Sequence, residues 1–197
     1  AVLHRKLPSN RTWPVKNQAE FFDYMRRLSS SLQKKCEAMG SDSWRRSSSE
    51  DVFIHTRRVD STLRTLDATI NAHSDWPITI IKKQIGIRTL SEPWIIFLAL
   101  LGKELGHIPA DDDLFKGNGL IRATSSDKEY DVLNIVFLEA EHRLRKYDWI
   151  QPCGGNDSLI SDDSNDLEDS EFELTTKSIK LLDIKPRNTH KRDGNTD

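Results

Sequence analysis

Ser91-Glu92-Pro93-Trp94-Ile95-Ile96-Phe97-Leu98-Ala99-Leu100-Leu101-Gly102-Lys103 decides the fold. A serine cap followed by an acid and a proline starts a helix, and no further charge appears until Lys103. A helix that is apolar on every side has to be enclosed by protein. The run from Trp94 through Gly102 is far shorter than the ~20 residues that cross a bilayer. The sequence therefore predicts a buried central helix over 91–105, closed at Gly106. The remaining segments are read by how they cover it.

Immediately upstream, Asp75-Trp76-Pro77 opens a third helix, with proline tolerated in its first turn and Ile78, Ile81 and Ile85 on its inner face. Gly86-Ile87-Arg88-Thr89 turns the chain into the central helix. Downstream, Leu114 through Arg122 places apolar pairs around Gly117-Asn118-Gly119, the pattern of a small β-hairpin. Ser126 with Glu129 then caps an amphipathic helix predicted over 126–149, its wide apolar face carried by Tyr130, Leu133, Val136, Phe137, Ala140, Leu144 and Tyr147.

Two longer helices precede this unit. Asn17 with Glu20 has capping-box spacing, and Phe21, Met25, Leu28 and Leu32 alternate steps of four and three to about residue 39. Ser48 with Asp51 caps a second helix on which Val52, Thr56, Val59, Leu63, Leu66 and Ile70 keep the same rhythm. An antiparallel, coiled-coil-like hairpin over 17–73 hides both narrow stripes. The reading is an all-α domain: the hairpin, then a compact helical bundle over 74–150 with one small β-hairpin, between a basic extended arm (1–16) and a disordered tail (151–197).

Composition supports that division. Hydrophobic residues are 36% of the 197 and charged residues 30%, lean for a single packed globule. Residues 151–197 hold eleven acids and six bases; since the whole chain carries −2, the body before them carries +3. Cys36 and Cys153 are too few for a disulfide framework or a structural zinc site. No stretch reads as a membrane span, and nothing points to a cofactor or a metal. The N-terminal residues lack the apolar run of a secretory signal.

The candidate sites are surfaces rather than catalytic groups. Arg5, Lys6 and Arg11 lie in the arm, Trp44, Arg45 and Arg46 in the serine-rich segment joining the two hairpin helices, and Arg57 and Arg58 off the apolar seam of the second. Cations beside an exposed aromatic suit phosphates and stacked bases. In the tail, residues 157–173 carry eight acids and no base, with Ser158, Ser161, Ser164 and Ser170 among them, a pattern read by acid-directed kinases. Lys185 to Arg192 clusters cations as a nuclear import signal does.

Two resemblances follow from these residues. Ile179, Leu181, Leu182 and Ile184, behind an acidic and phosphorylatable stretch, resemble a SUMO-interacting motif, which implies addition of the tail as a strand to a partner's sheet edge. A short amphipathic helix docked on the chain's own core, or on a partner, is the competing reading. The order of helix, helix and Gly-Asn-Gly hairpin over 76–124 resembles winged-helix domains. The helix that would enter a groove presents Trp94, Ile95 and Leu98 instead of base-reading side chains, so the implied type is one that binds protein.

Catalytic candidates are sparse. Glu139 and His142 have the spacing of half a di-iron site, without a second such motif. Asp111, Asp112 and Asp113 near His107 could face a cation or simply cap the next turn. Cys153 lacks a recognisable base. The expectation is a non-enzymatic adaptor or structural subunit of a nuclear multiprotein assembly, working as a hetero-oligomer with other proteins and making no membrane contact. The alternative is a nucleic-acid-binding regulator using the arm and the Trp44 cluster.

Overall fold

The computed structural model describes residues 15–40, 49–125, 132–153 and 164–184. Helices α1 (Val15–Gly40) and α2 (Ser49–Asn71) form the expected hairpin. Their inward stripes are closed: Phe21, Met25, Leu28 and Leu32 on α1, and Val59, Leu63, Leu66 and Ile70 on α2, are all 1% exposed or less. Past Leu32 the seam of α1 turns to another neighbour. Lys35 is buried there, its Nζ donating to the Ala123 carbonyl at 2.9 Å, which satisfies a charge that burial alone would penalise.

Helix α3 (Pro77–Ile85) ends at left-handed Gly86 (φ 63°), and α4 (Glu92–Glu104) starts after Ser91. Every residue of α4 from Trp94 to Lys103 is buried. It is enclosed by α1, by a helix α5 (Gly117–Thr124), by 3-10 turns at Asp113–Phe115 and Val132–Leu138, and by a short strand β2 (Phe172–Leu174). The crossing with α1 is tight. A Cβ on Gly102 would stand 2.4 Å from the Ser29 Oγ, so two small residues set that approach.

The segment read as a Gly-Asn-Gly hairpin is helical: a 3-10 turn followed by α5. Neither Gly117 nor Gly119 has positive φ. Close packing fixes both, since a Cβ on Gly117 would lie 1.9 Å from the Leu167 carbonyl oxygen and one on Gly119 2.2 Å from that of Asp113. The wing implied by the winged-helix resemblance is therefore not formed by these residues. The two-stranded sheet lies elsewhere, pairing β1 (Ile150–Pro152) antiparallel with β2, Ile150 opposite Leu174 and Pro152 opposite Phe172.

The long helix expected over 126–149 is also corrected. Within its described part, the 3-10 turn at Val132–Leu138 gives way to a bend and then to α6 (Arg143–Lys146). His142 is extended (φ −69°, ψ 147°), and its Nδ1 accepts the Leu144 N–H at 3.3 Å to cap α6. Arg145 donates to the Leu138 carbonyl at 2.9 Å and holds the fold-back. Leu138, Leu144 and Trp149 are buried while Leu133 is 78% exposed, so the wide apolar face is split between core and solvent.

Residues 164–184, expected to be disordered, pack on the bundle as α7 (Ser164–Asp169), β2 and α8 (Thr176–Leu181). Leu167, Phe172, Leu174 and Leu182 enter the core. Leu167, Phe172 and Leu174 are separated from one another by acids and a serine, which lowers the mean hydropathy without removing the burial. Polar contacts fasten the segment: Lys103 Nζ to Glu171 Oε1 at 2.5 Å, Gly117 N–H to the Ser170 carbonyl at 2.9 Å, and Ser178 Oγ to the Trp149 carbonyl at 2.7 Å. No helix among the described residues is long and apolar enough to cross a membrane.

Candidate functional site

Two surface features among the described residues set apolar side chains beside arginines. The first is the outer face of α2 near its start. Its inward residues are spent on the hairpin, yet Phe53 is 56% and Ile54 38% exposed. Phe53 and Arg57 are four residues apart and so share a face. The Arg57 guanidinium lies 4.7 Å from the Phe53 ring centroid, a cation–π contact worth ~0.5–1 kcal/mol at an exposed site. Arg58, also exposed, extends the basic edge. Helix α2 as a whole carries four acids against three arginines, so the face is aromatic and mixed in charge, not a continuous cationic track.

The second feature is a cleft of about 250 Å³ between the α3–α4 turn and the start of α6. Ile85, Ile87, Pro93 and Leu144 form its apolar walls; Arg88, Ser91, His142 and Arg143 supply its polar groups. Arg143 gives one N–H to the Ile85 carbonyl at 3.3 Å. The cap to Leu144 makes Nδ1 of His142 the acceptor, which leaves the proton of the neutral ring on Nε2. Burial, and secondarily the Arg143 charge, hold that imidazole below its ordinary pKa. In the turn that carries Arg88, Leu90 is left-handed at φ 60°, a conformation costing about 1–3 kcal/mol in a non-glycine residue. Thr89 beside it donates its hydroxyl to the buried carboxylate of Asp67.

A larger cavity of about 460 Å³ lies between α1 and the 111–122 segment, and several of its polar groups are engaged within the fold. Asp112 accepts from Gln33 Nε2 at 2.6 Å and from the Leu114 N–H at 2.9 Å, and Asp113 pairs with Lys116 at 2.7 Å. Cys36 donates to the Gly119 carbonyl, and burial pushes its thiol up to about 12. The acid run thus caps a turn. Among the described residues no group of three or more His, Cys, Asp or Glu is arranged to hold a metal ion. His142, of the Glu139/His142 pair, serves as a helix cap.

Arg57 and Arg58 are the only sequence-predicted cations that fall within the described residues; Arg5, Lys6, Arg11, Trp44, Arg45 and Arg46 lie outside them, as do Ser158, Ser161 and Lys185 to Arg192. Ser164 opens α7, and the Ser170 hydroxyl donates to the Asp166 carbonyl at 2.6 Å. Ile179, Leu181 and Ile184 pack partly buried against the core and Leu182 is fully buried, in and just after α8. In this state the segment is the docked amphipathic helix, not the extended strand that a SUMO-interacting motif requires.

The cleft was missed by sequence reasoning. Arg88 and Arg143 are 55 positions apart in a chain whose turn at 139–142 interrupts an apparently continuous helical pattern, and no local signal joins them. Known family models, curated proteins and solved structures show no match to this chain.

Proposed function

We propose that this protein is a non-enzymatic adaptor or structural subunit of a nuclear multiprotein assembly, and that it binds a partner protein through the outer face of α2. The observation carrying this reading is the exposed Phe53–Ile54 pair with Arg57 stacked on Phe53. The fold does not need these side chains outside, because the hairpin already closes its own seam. Aromatic residues and arginine are the types most enriched where binding energy concentrates at protein interfaces. The acidic serines Ser158 and Ser161 and the cations from Lys185 to Arg192 supply the phosphorylation and import parts of the proposal.

The test is quantitative affinity purification of wild-type protein beside Phe53→Asp/Ile54→Asp and the surface control Gln84→Asp. The adaptor reading expects a reproducible partner set to drop at least tenfold with the double variant and to persist with the control. Unchanged recovery overturns it.

The nucleic-acid reading is supported by the exposure of Arg57 and Arg58. It requires binding of DNA or RNA that weakens steeply with salt and is lost in Arg57→Ala/Arg58→Ala. That result would replace the adaptor proposal.

A further inference from the structure

We infer that the cleft between the α3–α4 turn and α6 binds a carboxylate attached to an apolar body, of the size of one aliphatic amino-acid residue. This site is formed by other elements than the α2 face and does not depend on the function proposed for that face.

The cleft is positively charged. Arg88, His142 and Arg143 line the cleft and no acidic residue does. Among the described residues the Arg88 guanidinium has no ion-pair or hydrogen-bond partner, and Arg143 spends one N–H on the Ile85 carbonyl; within those residues the rest of both guanidinium forks is open. A guanidinium presents parallel N–H donors that match a carboxylate bidentately. His142 adds an Nε2–H donor, since its other nitrogen is committed to the α6 cap. Ser91 adds a hydroxyl whose own proton goes to the Arg88 carbonyl at 2.7 Å, leaving oxygen lone pairs toward any further donor.

Shape and rigidity select the rest of the ligand. Four apolar side chains wall the remaining space, so a bare inorganic anion leaves most of the cleft wet. About 250 Å³ is below the range of nucleotide and drug-sized pockets. The turn carrying Arg88 is fixed from inside by the Thr89–Asp67 hydrogen bond and by left-handed Gly86 and Leu90, which lowers the ordering cost of binding. One carboxylate chemistry has two sources here: a free small acid, or the C-terminus of a peptide ending in an apolar residue.

The test is NMR titration of the full chain with N-acetyl-leucine and with N-acetyl-leucinamide, following backbone amides 85–91 and 142–144. Sodium phosphate serves as the bare-anion control. The inference expects saturable shifts in these amides with a Kd in the millimolar range or tighter for the acid, and at least tenfold weaker binding of the amide and of phosphate. Arg88→Met, at an exposed position, should weaken the acid at least tenfold while amides of α1 and α2 keep their shifts; Arg143→Met should do the same. A third ligand, acetyl-Ala-Ala-Ala-Leu, separates the sources: tighter binding than N-acetyl-leucine marks a peptide terminus, and equal binding marks a free acid. Absence of carboxylate-dependent shifts, equal binding of phosphate, or indifference to Arg88→Met in a folded variant overturns the assignment.

Discussion

The indole N–H of Trp94 donates to the carboxylate of Asp67 at 3.2 Å, joining the first turn of the central helix to the hairpin. The same carboxylate takes the Lys82 ammonium from α3 and the Thr89 hydroxyl from the turn between α3 and α4. One buried acid thus sets the relative position of three helices. Asp67→Ala should destabilise the protein by about 3–5 kcal/mol, because it leaves the Lys82 ammonium buried without its counter-charge. The double variant Asp67→Leu/Lys82→Met should recover most of that loss, since apolar replacement of both partners is often neutral or better. Urea denaturation of the three proteins decides it. A single variant no worse than the double would show that the pair does not carry this load.

The docked C-terminal segment is a second joint. Gly117→Ala places a methyl group against the Leu167 carbonyl at 1.9 Å, and backbone on both sides leaves no easy relief. The variant should loosen α7 and β2 while the hairpin remains folded. The expected readout is faster proteolysis within 164–175 and new dye binding at the exposed core, with the helical signal largely kept.

Acid should weaken the fold through His142. Its folded pKa lies below its ordinary value of 6.5, chiefly because of burial and then because of Arg143. The unfolded chain therefore takes up this proton first as pH falls. The stabilisation is full above 6.5, declines below it, and levels off under the folded pKa. His142→Asn keeps an oxygen acceptor for the Leu144 cap and should flatten this part of the stability profile between pH 7 and 5.

The two thiols make an alkaline prediction of the opposite form. Burial raises both Cys36 and Cys153 from an ordinary value of 9.0 to about 12. In the folded protein both stay protonated at pH 8 and should react with iodoacetamide far more slowly than in denaturant. Stability attributable to them is present below pH 9.0 and is lost as pH rises above it, because the unfolded thiols ionise first.

The legible parts of this fold were those with sustained periodicity or extreme composition. The stripes on α1 and α2 and the uninterrupted apolar run of α4 each dictate burial with no reference to distant residues. Errors arose where tertiary contacts override local pattern. Gly117 and Gly119 read as turn residues, but their role is to admit other backbone closely. The bend at His142 is set by its ring cap and by the Arg145–Leu138 contact, not by a helix breaker. In the tail, four spaced apolar residues were outweighed by surrounding acids, although Lys103 in the core already offered Glu171 a partner. Of the candidate sites, the α2 arginines were visible as off-seam cations, whereas the exposure of Phe53 appeared only once the hairpin was packed.

The occupant of the α2 face decides most directly whether the protein acts as an adaptor. A photo-crosslinking amino acid placed at position 53 in cells, with position 84 as control, reports what touches that face. The account predicts a protein adduct of discrete mass at 53 that is absent at 84 and disappears when Arg57→Glu and Ile54→Asp are added. Adducts to nucleic acid at 53, or the same pattern of adducts at both positions, would contradict it.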